Sequence, residues 1–260
     1  VKGIPPMATL GDFAWHELMT TDPASAQRFY SKIIGWTTAP WGNDGSYTLW
    51  MAGPMPVGGC MALPDHLKAA KVPPHWLTYI GSPDVDATCR QATGLGAKVL
   101  SAPQEIPEAG RFAALEDPQG AVFCVYTAAA PTPAPGGPPG LGEFSWHELA
   151  TTDPKGAFSF YGALFGWTKT GEVDMGAGGL YQMFGRGEIP MGGIYLRPPE
   201  VPVSNWLPYV RVKDADQAVA AIKAAGGTVV FGPMEVPGGD RVAGAVDPLG
   251  AVIAVHAVKG

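Results

Sequence analysis

The sequence has few of the features that mark secreted, membrane or nucleic-acid-binding proteins. Only 3 of its 260 residues are cysteine, and Cys60, Cys89 and Cys124 are widely separated, so no disulfide framework is indicated. Lys and Arg number 17 against 23 Asp and Glu, and the net charge of −6 argues against nucleic-acid binding, because contacts to a phosphate backbone need clustered Lys and Arg. No apolar stretch approaches the roughly 20 residues that span a bilayer, and the first residues lack the apolar core of a signal peptide. We therefore expect a cytoplasmic protein without nucleic-acid or membrane partners.

Glycine and proline, by contrast, are abundant, with 36 and 27 residues. Most of them lie between segments of regular hydrophobic periodicity, which indicates many short strands joined by turns and not disorder. A composition of 46% hydrophobic and 15% charged residues is typical of a globular protein. The length allows one large domain or two ordinary ones.

A long motif occurs twice and divides the chain into two halves. The stretch FAWHELMTTDPASAQRFYSKIIGW begins at Phe13, and FSWHELATTDPKGAFSFYGALFGW begins at Phe144. The later segments PHWLTYI and EDPQGAVFCVY are matched in the same order by SNWLPYV and VDPLGAVIAVH. A nearly uncharged stretch rich in Pro, Gly and Ala separates the halves and is typical of a linker. We predict a first domain at 8–128, a linker at 129–141 and a second domain at 142–260.

Each half is also predicted to contain the same small unit twice. After a first strand, Asp22 and Pro23 begin a helix, because aspartate caps free N–H groups and proline at the first helical position loses no hydrogen bond. Apolar residues follow at helical spacing until Gly35 ends the helix. Three short strands come next, and the pattern of one strand, one helix and three strands then begins again. The predicted fold class is α+β, with four βαβββ units in tandem.

In this order of motifs the sequence resembles the vicinal oxygen chelate superfamily, which includes glyoxalase I, bleomycin-resistance proteins and extradiol ring-cleaving dioxygenases. The segments TTDPASAQRFYSKIIGW, GLGAKV and EDPQGAVFCVY and their partners in the second half carry the resemblance. Together these signals cover almost the whole chain outside the linker. The resemblance implies two glyoxalase-like domains, each with two βαβββ units whose curved, mixed sheet surrounds a cleft. In the metal enzymes of the family, the first and last strands of each unit supply one metal ligand each.

The ligand positions that the resemblance implies hold residues unsuited to metal binding. The positions that can be counted from the helix caps and the DPxG turns are Trp15, Leu77, Cys124, Trp146, Leu207 and Ala254. The remaining ligand would fall in PVGGCMAL or IPMGGIYL, which contain no carboxylate or histidine. Divalent cations need N, O or thiolate donors, and Cys124 alone does not make a site. We therefore expect no metal at these positions and no cofactor.

Polar side chains are predicted next to the lost ligand positions. Because side chains alternate along a strand, Glu17 shares the cleft side with Trp15, and His16 points away toward the covering helix. Counting two residues along each strand from the lost ligand positions predicts a polar layer in each cleft. The first layer contains Glu17, Tyr79 and Tyr126, and His75 lies two residues from Leu77 in the opposite direction. The second layer contains Glu148, Tyr209 and His256. With Trp15, Cys124 and Trp146, these are the candidate ligand-binding residues.

Each candidate also has a purely structural interpretation. Glu148 and His256 are the pair that could transfer a proton, since a carboxylate can orient and charge an imidazole, but they could equally stabilise the fold as a hydrogen-bonded cluster. Trp15 and Trp146 could form the floor of a pocket for flat or cationic ligands, or simply fill the core. His16 and the equivalent His147 are expected to pack under a helix with a local hydrogen bond.

Two functions follow from these observations. The first is binding of a small apolar or aromatic molecule without a metal, as the resemblance to resistance proteins implies. The second is a metal-dependent lyase, isomerase or dioxygenase with a displaced ligand set, in which Glu17, Glu148 and His256 would serve as ligands. An enzyme would then be glyoxalase-like or similar to ring-cleaving dioxygenases. A third option is that the duplicated domains serve only structure or interaction with other proteins. The expected partner is a small-molecule ligand or substrate, and a homodimer is a possible assembly.

Overall fold

The computed structural model describes residues 10–42, 45–130 and 137–260. The expected start of the first domain at residue 8 and the middle of the expected linker, 131–136, lie outside the described residues. The two halves form one sheet each, with a few helices, which confirms the predicted α+β class. Within the described part of the chain, no helix is long and apolar enough to cross a membrane.

The first half consists mainly of strands. Its elements are β1 (Phe13–Thr20), α1 (Pro23–Ile34), β2 (Thr37–Trp41), β3 (Tyr47–Ala52), β4 (Met55–Ala62), α2 (Asp65–Ala69), β5 (His75–Gly81), α3 (Val85–Gly94), β6 (Lys98–Ile106), β7 (Gly110–Glu116) and β8 (Val122–Ala128). The short helix α2, which joins the two units, is an element that the sequence patterns did not predict.

The second half repeats this order with an irregular segment in the place of α2. Its elements are β9 (Phe144–Thr151), α4 (Pro154–Phe165), β10 (Thr168–Asp174), β11 (Leu180–Arg186), β12 (Ile189–Leu196), β13 (Asn205–Arg211), α5 (Ala215–Ala224), β14 (Thr228–Glu235), β15 (Arg241–Val246) and β16 (Val252–Ala257). The four predicted βαβββ units are therefore present.

Local signals explain where the first helix of each half begins and ends. The Asp22 side chain accepts a backbone hydrogen bond at 3.1 Å, and Pro23 lies in the first turn of α1. Gly35 ends the helix with a φ of 85°, a conformation that glycine adopts at little cost. Asp153 and Gly166 act in the same way at the two ends of α4. The repeated TTDP…GW motif thus defines a helix.

Each sheet contains eight strands, and its two units meet at the centre. The strand order is β2-β3-β4-β1-β5-β8-β7-β6 in the first half, and the second half has the equivalent order β10-β11-β12-β9-β13-β16-β15-β14. The first and last strands of a unit run parallel, as β1 does with β4, whereas β1 and β5 are antiparallel. The sheets remain open, because their edge strands β2 and β6, or β10 and β14, do not pair with each other.

The core is shared between the halves. One cluster of buried residues joins the second unit of the first half to the first unit of the second half, and another joins the remaining two units. The Tyr30 hydroxyl of α1 donates to Asp247 at 2.9 Å, and the Tyr161 hydroxyl of α4 donates to Asp117 at 3.0 Å. Both aspartates begin the DPxG turns. The FY motif of each half therefore contacts the DPxG motif of the other half.

Tryptophans add further bonds across this contact. The indole N–H of Trp36 donates to a backbone carbonyl of the second half at 2.7 Å, and that of Trp167 to one of the first half at 2.8 Å. Trp76 and Trp206 are buried and donate to the hydroxyls of the two helix tyrosines at 3.0 Å. Trp76 and Trp206 therefore belong to the shared core.

His16 and His147 point away from the clefts, as strand alternation predicts, but the local hydrogen bond expected for each is not the main contact. Their Nε2 atoms lie 2.8 Å apart in the buried contact between the halves. Phe13 stacks on His147 with ring centroids 3.4 Å apart, and Phe144 stacks on His16 at 3.7 Å. The two histidines meet because the packing of the halves brings equivalent positions together, which the pattern of one strand cannot show.

Candidate functional site

The first strand of each half carries a tryptophan and a glutamate toward the cleft. Trp15 and Glu17 lie on β1, where Trp15 is 7% and Glu17 is 6% exposed. The register places Glu17 between Gly59 of β4 and Leu77 of β5. The carboxylate is thus at the centre of the sheet, where burial is costly unless hydrogen bonds compensate for it.

Two tyrosines supply those hydrogen bonds. The Tyr79 hydroxyl donates to Glu17 Oε1 at 3.1 Å. The Tyr47 hydroxyl accepts from Trp15 Nε1 at 2.9 Å and also hydrogen-bonds to Glu17. Burial raises the pKa of Glu17, and the bonds from the two tyrosines offset part of this rise. The result is a continuous indole–phenol–carboxylate–phenol network, which we call the first tyrosine–glutamate network.

The second half contains an equivalent network. Trp146 Nε1 donates to the Tyr181 hydroxyl at 2.7 Å, and Tyr181 donates to Glu148 Oε1 at 2.8 Å. The Tyr209 hydroxyl donates to Glu148 Oε2 at 2.7 Å. Burial again raises the pKa of this glutamate, against the bonds from the two tyrosines. In contrast to their counterparts, Trp146 and Glu148 are only partly buried. We call this the second tyrosine–glutamate network.

Glycines make room for the tyrosine rings. A Cβ at Gly59 would lie 1.8 Å from the Tyr47 hydroxyl, and one at Gly193 would lie 2.0 Å from Cζ of Tyr181. Such distances are far shorter than any real contact, so each ring needs a glycine below it. This contact explains the second glycine of each Gly-Gly pair in PVGGCMAL and IPMGGIYL, whereas the first, Gly58 or Gly192, lies against a backbone carbonyl of the neighbouring strand.

Tyr47 and Tyr181 are the members of the networks that sequence reasoning missed. They lie on β3 and β11, strands that carry no ligand in the family pattern, so counting from ligand positions did not reach them. A usable signal does exist, because each tyrosine precedes its Gly-Gly pair at the same spacing in both halves. The structure therefore joins the predicted Glu17 to Tyr79, and Glu148 to Tyr209, by direct hydrogen bonds, and it adds to each pair a tyrosine that was not predicted.

The cleft of the first half contains a cavity of about 830 Å³. Aromatic side chains form much of its wall: Trp15, Trp41, Tyr47, Tyr79, Phe112 and Tyr126. Among the described residues that line it, Glu17 is the single carboxylate. Residues of the α2 segment and the stretch 203–205 of the second half also line this cavity. The first cleft is thus a large, mostly apolar space with one polar network.

The remaining candidates of the first half, Tyr126, His75 and Cys124, line the same cavity, and the Cys124 thiol hydrogen-bonds to Tyr79 of the network. The Tyr126 hydroxyl donates to the backbone carbonyl of Ala109 at 2.7 Å. His75 lies 2.8 Å from the Pro73 carbonyl through Nδ1. Cys124 is fully buried, and burial raises the pKa of its thiol well above the usual value, which makes the thiolate rare.

His256 has partners other than Glu148. Its Nδ1 lies 2.9 Å from Ser145 Oγ, and its Nε2 lies 2.9 Å from Asp240 Oδ2. Both ring nitrogens are therefore engaged by these two side chains. The predicted proton transfer between Glu148 and His256 has no direct hydrogen bond to support it, and Ser145 and Asp240 were not among the candidates.

The residues around Glu17 do not fit a divalent metal ion. The groups that contact its carboxylate are two phenols, and the neighbouring positions on β4 and β5 hold Gly59 and Leu77. Burial and the nearby Glu17 keep the pKa values of Tyr47 and Tyr79 well above normal, so both phenols stay protonated. In the described residues there is no group of three or more His, Cys, Asp or Glu that could hold a metal. The donor set is that of a hydrogen-bond network.

Comparisons with known proteins agree with this architecture. A family model described as a glyoxalase-like domain matches residues 15–126, and one described as the glyoxalase/bleomycin resistance protein/dioxygenase superfamily matches residues 143–255. The chain is 33% identical over 250 residues to the putative glyoxylase CFP32 of Mycobacterium tuberculosis, with 93% of this chain and 92% of the relative covered. It is 28% identical over 267 residues to the anthracycline biosynthesis protein DnrV of Streptomyces peucetius, with 93% and 91% covered.

Solved structures share the fold of the whole chain. A Mn(II)-bound glyoxalase from Novosphingobium aromaticivorans superposes with a TM-score of 0.65 at 16% identity, over 96% of this chain and 83% of that chain. A variant of homoprotocatechuate 2,3-dioxygenase from B. fuscum superposes with a TM-score of 0.68 at 14% identity, over 100% and 74%. At these identities the likeness concerns the fold alone.

Proposed function

Because the chain belongs to the glyoxalase/bleomycin resistance protein/dioxygenase superfamily, with one such domain in each half, we propose that its first cleft binds a small, flat aromatic molecule without a metal ion at the family's ligand positions. The observation that carries this proposal is the cavity of about 830 Å³ with its aromatic wall. That volume lies in the range of roughly 300–1,000 Å³ that small-molecule sites occupy.

The chemistry of the wall favours a flat ligand. Trp15, Trp41 and Phe112 offer ring faces and edges to the cavity, and aromatic contacts contribute beyond the area that they bury. Glu17 and Tyr79 provide the polar group that a ligand hydroxyl would meet at the floor of the cleft. A mostly apolar site with a few convergent polar groups is the usual form of a small-molecule site.

The names of two relatives support a small-molecule role. The Streptomyces relative is named for anthracycline biosynthesis, and an anthracycline is a flat, hydroxylated polycycle. The mycobacterial relative is named a putative glyoxylase, which favours the second candidate, a metal-dependent enzyme. That candidate would need a metal ion held through Glu17, Glu148 or His256, and the structure assigns these three side chains to other hydrogen bonds.

A titration with 1,2-dihydroxyanthraquinone tests the proposal, because this probe is flat and hydroxylated and quenches tryptophan fluorescence. We expect saturable quenching with one site per chain. Ala114 lines the cavity, so Ala114→Phe should fill part of it and weaken binding at least about tenfold, equivalent to about 1.4 kcal/mol. Ala243, on β15 of the second half, is buried in a cluster away from the first cavity, and Ala243→Gly is the control that should leave quenching unchanged.

Elemental analysis of the same protein, purified without chelator or affinity tag, separates the two candidates. Quenching that is saturable in metal-free protein supports the proposal. Near-stoichiometric zinc, nickel, iron or manganese, lost in Glu17→Gln or Glu148→Gln, would contradict it and favour the metal-dependent enzyme. Quenching that does not saturate, or that Ala114→Phe leaves unchanged, would also contradict it.

A further inference from the structure

The second half contains a Ser–His–Asp hydrogen-bond chain that the first half lacks. Ser145 Oγ lies 2.9 Å from Nδ1 of His256, and Nε2 of His256 lies 2.9 Å from Asp240 Oδ2. The equivalent positions of the first half, by the alignment of the repeats, hold Ala14, Tyr126 and Gly110, which cannot form such a chain. The fold therefore does not require it.

A β-bulge turns Ser145 toward the cleft. In the pairing of β9 with β13, Trp146 opposes Tyr209 and Phe144 opposes Val210, so Ser145 is the extra residue. A bulge breaks the strict alternation of side chains and re-aims one of them. The same shift occurs in β1 at Ala14, which packs in the cluster of Trp15, Tyr79 and Tyr126 at the first cleft. The serine therefore lies on the cleft side of its sheet.

The hydrogen bonds determine the direction of proton donation in this chain. Desolvation acts to raise the pKa of Asp240, but the bonds from the backbone N–H of Lys259 and from His256 outweigh it, and the pKa is lowered. The ionised carboxylate can only accept, so Nε2–H of His256 donates to it. In the neutral imidazole, Nδ1 then has a lone pair, and Ser145 Oγ–H donates to that nitrogen. The alternative acceptor for the serine, the Tyr209 carbonyl, is more distant at 3.5 Å.

We propose that Ser145 is a nucleophile that His256 activates and Asp240 orients, and that the second cleft cleaves carboxylic esters with an apolar acyl group. Nucleophile and base within hydrogen-bond reach, with a third group that orients the base, form the arrangement that activates a serine hydroxyl. All three side chains are partly exposed, so a substrate can reach them. The adjacent cluster of Leu207, Tyr209, Phe231 and Val242 is apolar, which suits the acyl group.

The reaction needs only the ester and water. Oγ of Ser145 bonds to the carbonyl carbon while its proton passes to Nδ1 of His256; the bond to the leaving oxygen then breaks, and the leaving alcohol takes the proton. A water molecule next attacks the acyl-serine and gives a proton to Nδ1. The bond between Oγ and the acyl carbon breaks, the carboxylic acid leaves, and the proton returns to Oγ.

Phosphonylation of the serine tests the nucleophile directly. With a fluorophosphonate probe, intact-mass spectrometry should show one label per chain, on Ser145, and 4-nitrophenyl acetate should give a burst of 4-nitrophenol. Ser145→Ala should abolish both signals, and His256→Gln should slow labelling at least about a hundredfold. Ser159 is an exposed serine of α4, and Ser159→Ala should change nothing. A label that persists in Ser145→Ala, or no label in the wild-type protein, would overturn the proposal.

Further variants keep the test independent of folding defects. Ser145→Cys should react with iodoacetamide faster than Ser159→Cys, and this advantage should disappear when His256 is also replaced by Gln; the native cysteines are buried and give a low background. Asp240→Glu should keep part of the labelling rate that Asp240→Asn loses, whereas a merely structural aspartate would give equal rates in both. Anthraquinone quenching should be unchanged in Ser145→Ala, so this proposal and the proposed function can fail separately.

Discussion

The two halves contain equivalent tyrosine–glutamate networks, which differ in how deeply they are buried. Trp15 and Glu17 are almost fully covered, and the segment 63–74 with helix α2 contributes to the lining of the first cavity. In the second half, Trp146 and Glu148 are partly exposed, and the corresponding segment 197–204 is shorter and contains no helix. The comparison shows that duplication preserved the strands and the network, whereas the covering segment and the polar residues beside the network diverged.

The largest expected effect is the loss of stability that acidic pH causes at His16 and His147, one histidine from each half. Burial lowers the pKa of His147 from its usual 6.5 to about 3 and lowers that of His16 well below its usual value, the latter with a smaller contribution from His147. Because both folded-state pKa values lie below the unfolded value, the stabilisation is complete above about pH 6.5 and is lost as the pH falls toward about 3. From the pKa of His147 alone we expect the free energy of unfolding to fall by about 3 kcal/mol between about pH 7 and about pH 4, measured by urea unfolding, and His16 should add to this loss.

Replacing one histidine separates this effect from other groups. The two network glutamates act in the opposite direction, because burial raises their pKa values and their stabilisation is present at low pH and lost as the pH rises. His16→Gln and His147→Gln should each flatten the acid arm of the stability curve, and the exposed His66 provides the control in His66→Gln. If the free energy of unfolding fell with pH in both variants as it does in the wild-type protein, the histidine pair would not be the cause of the acid sensitivity.

A smaller effect is expected when the networks are overpacked. Gly59→Ala and Gly193→Ala each place a Cβ against a tyrosine ring, and overpacking of this kind costs roughly 1–3 kcal/mol. The residues bonded to Tyr47, Trp15 and Glu17, are more deeply buried than those bonded to Tyr181, Trp146 and Glu148, so thermal unfolding should show a greater loss for Gly59→Ala. Gly94→Ala, where a Cβ meets open space, is the matched control. Equal losses would mean that burial does not distinguish the two networks.

The smallest expected loss of stability comes from removing the tyrosine hydroxyls between the halves, and it tests whether the two sides of this contact are equivalent. Tyr30→Phe and Tyr161→Phe each remove a hydroxyl that bonds to an aspartate of the other half and accepts from an indole. We expect each variant to lose about 1–2 kcal/mol in urea unfolding, because buried partners remain unpaired. The losses should be equal within error and additive in the double variant. A clear inequality would show that the two sides of the contact are not equivalent.

Most of the fold could be predicted from the sequence because its signals are local. Asp22, Pro23 and Gly35 define α1 by capping and backbone conformation alone, and alternation correctly assigned Glu17 to the cleft and His16 to the opposite side. Repetition of the motifs strengthened each of these assignments. Helix α2 was missed because it is one short turn with no buried residue and hence no hydrophobic periodicity.

The site was less predictable because its contacts join residues that are distant in sequence. Tyr47 reaches Glu17 only through the pairing of neighbouring strands, and His16 meets His147 only when two whole sheets pack. The bulge at Ser145 interrupts the alternation on which the counting relied. The domain boundaries, the binding roles of the candidate residues and a homodimer all stay predictions.

The shared core has a consequence for how the two halves can change independently. Each unit buries its apolar surface against a unit of the other half, so neither sheet can unfold without exposing surface that belongs to both. The chain connection makes this association intramolecular, and its cooperativity does not depend on protein concentration. The face of each sheet that packs against the other half thus stabilises both halves together. The opposite face, which forms the cleft, can change its side chains in one half alone. The second cleft could gain a serine, a histidine and an aspartate without any matching change in the first.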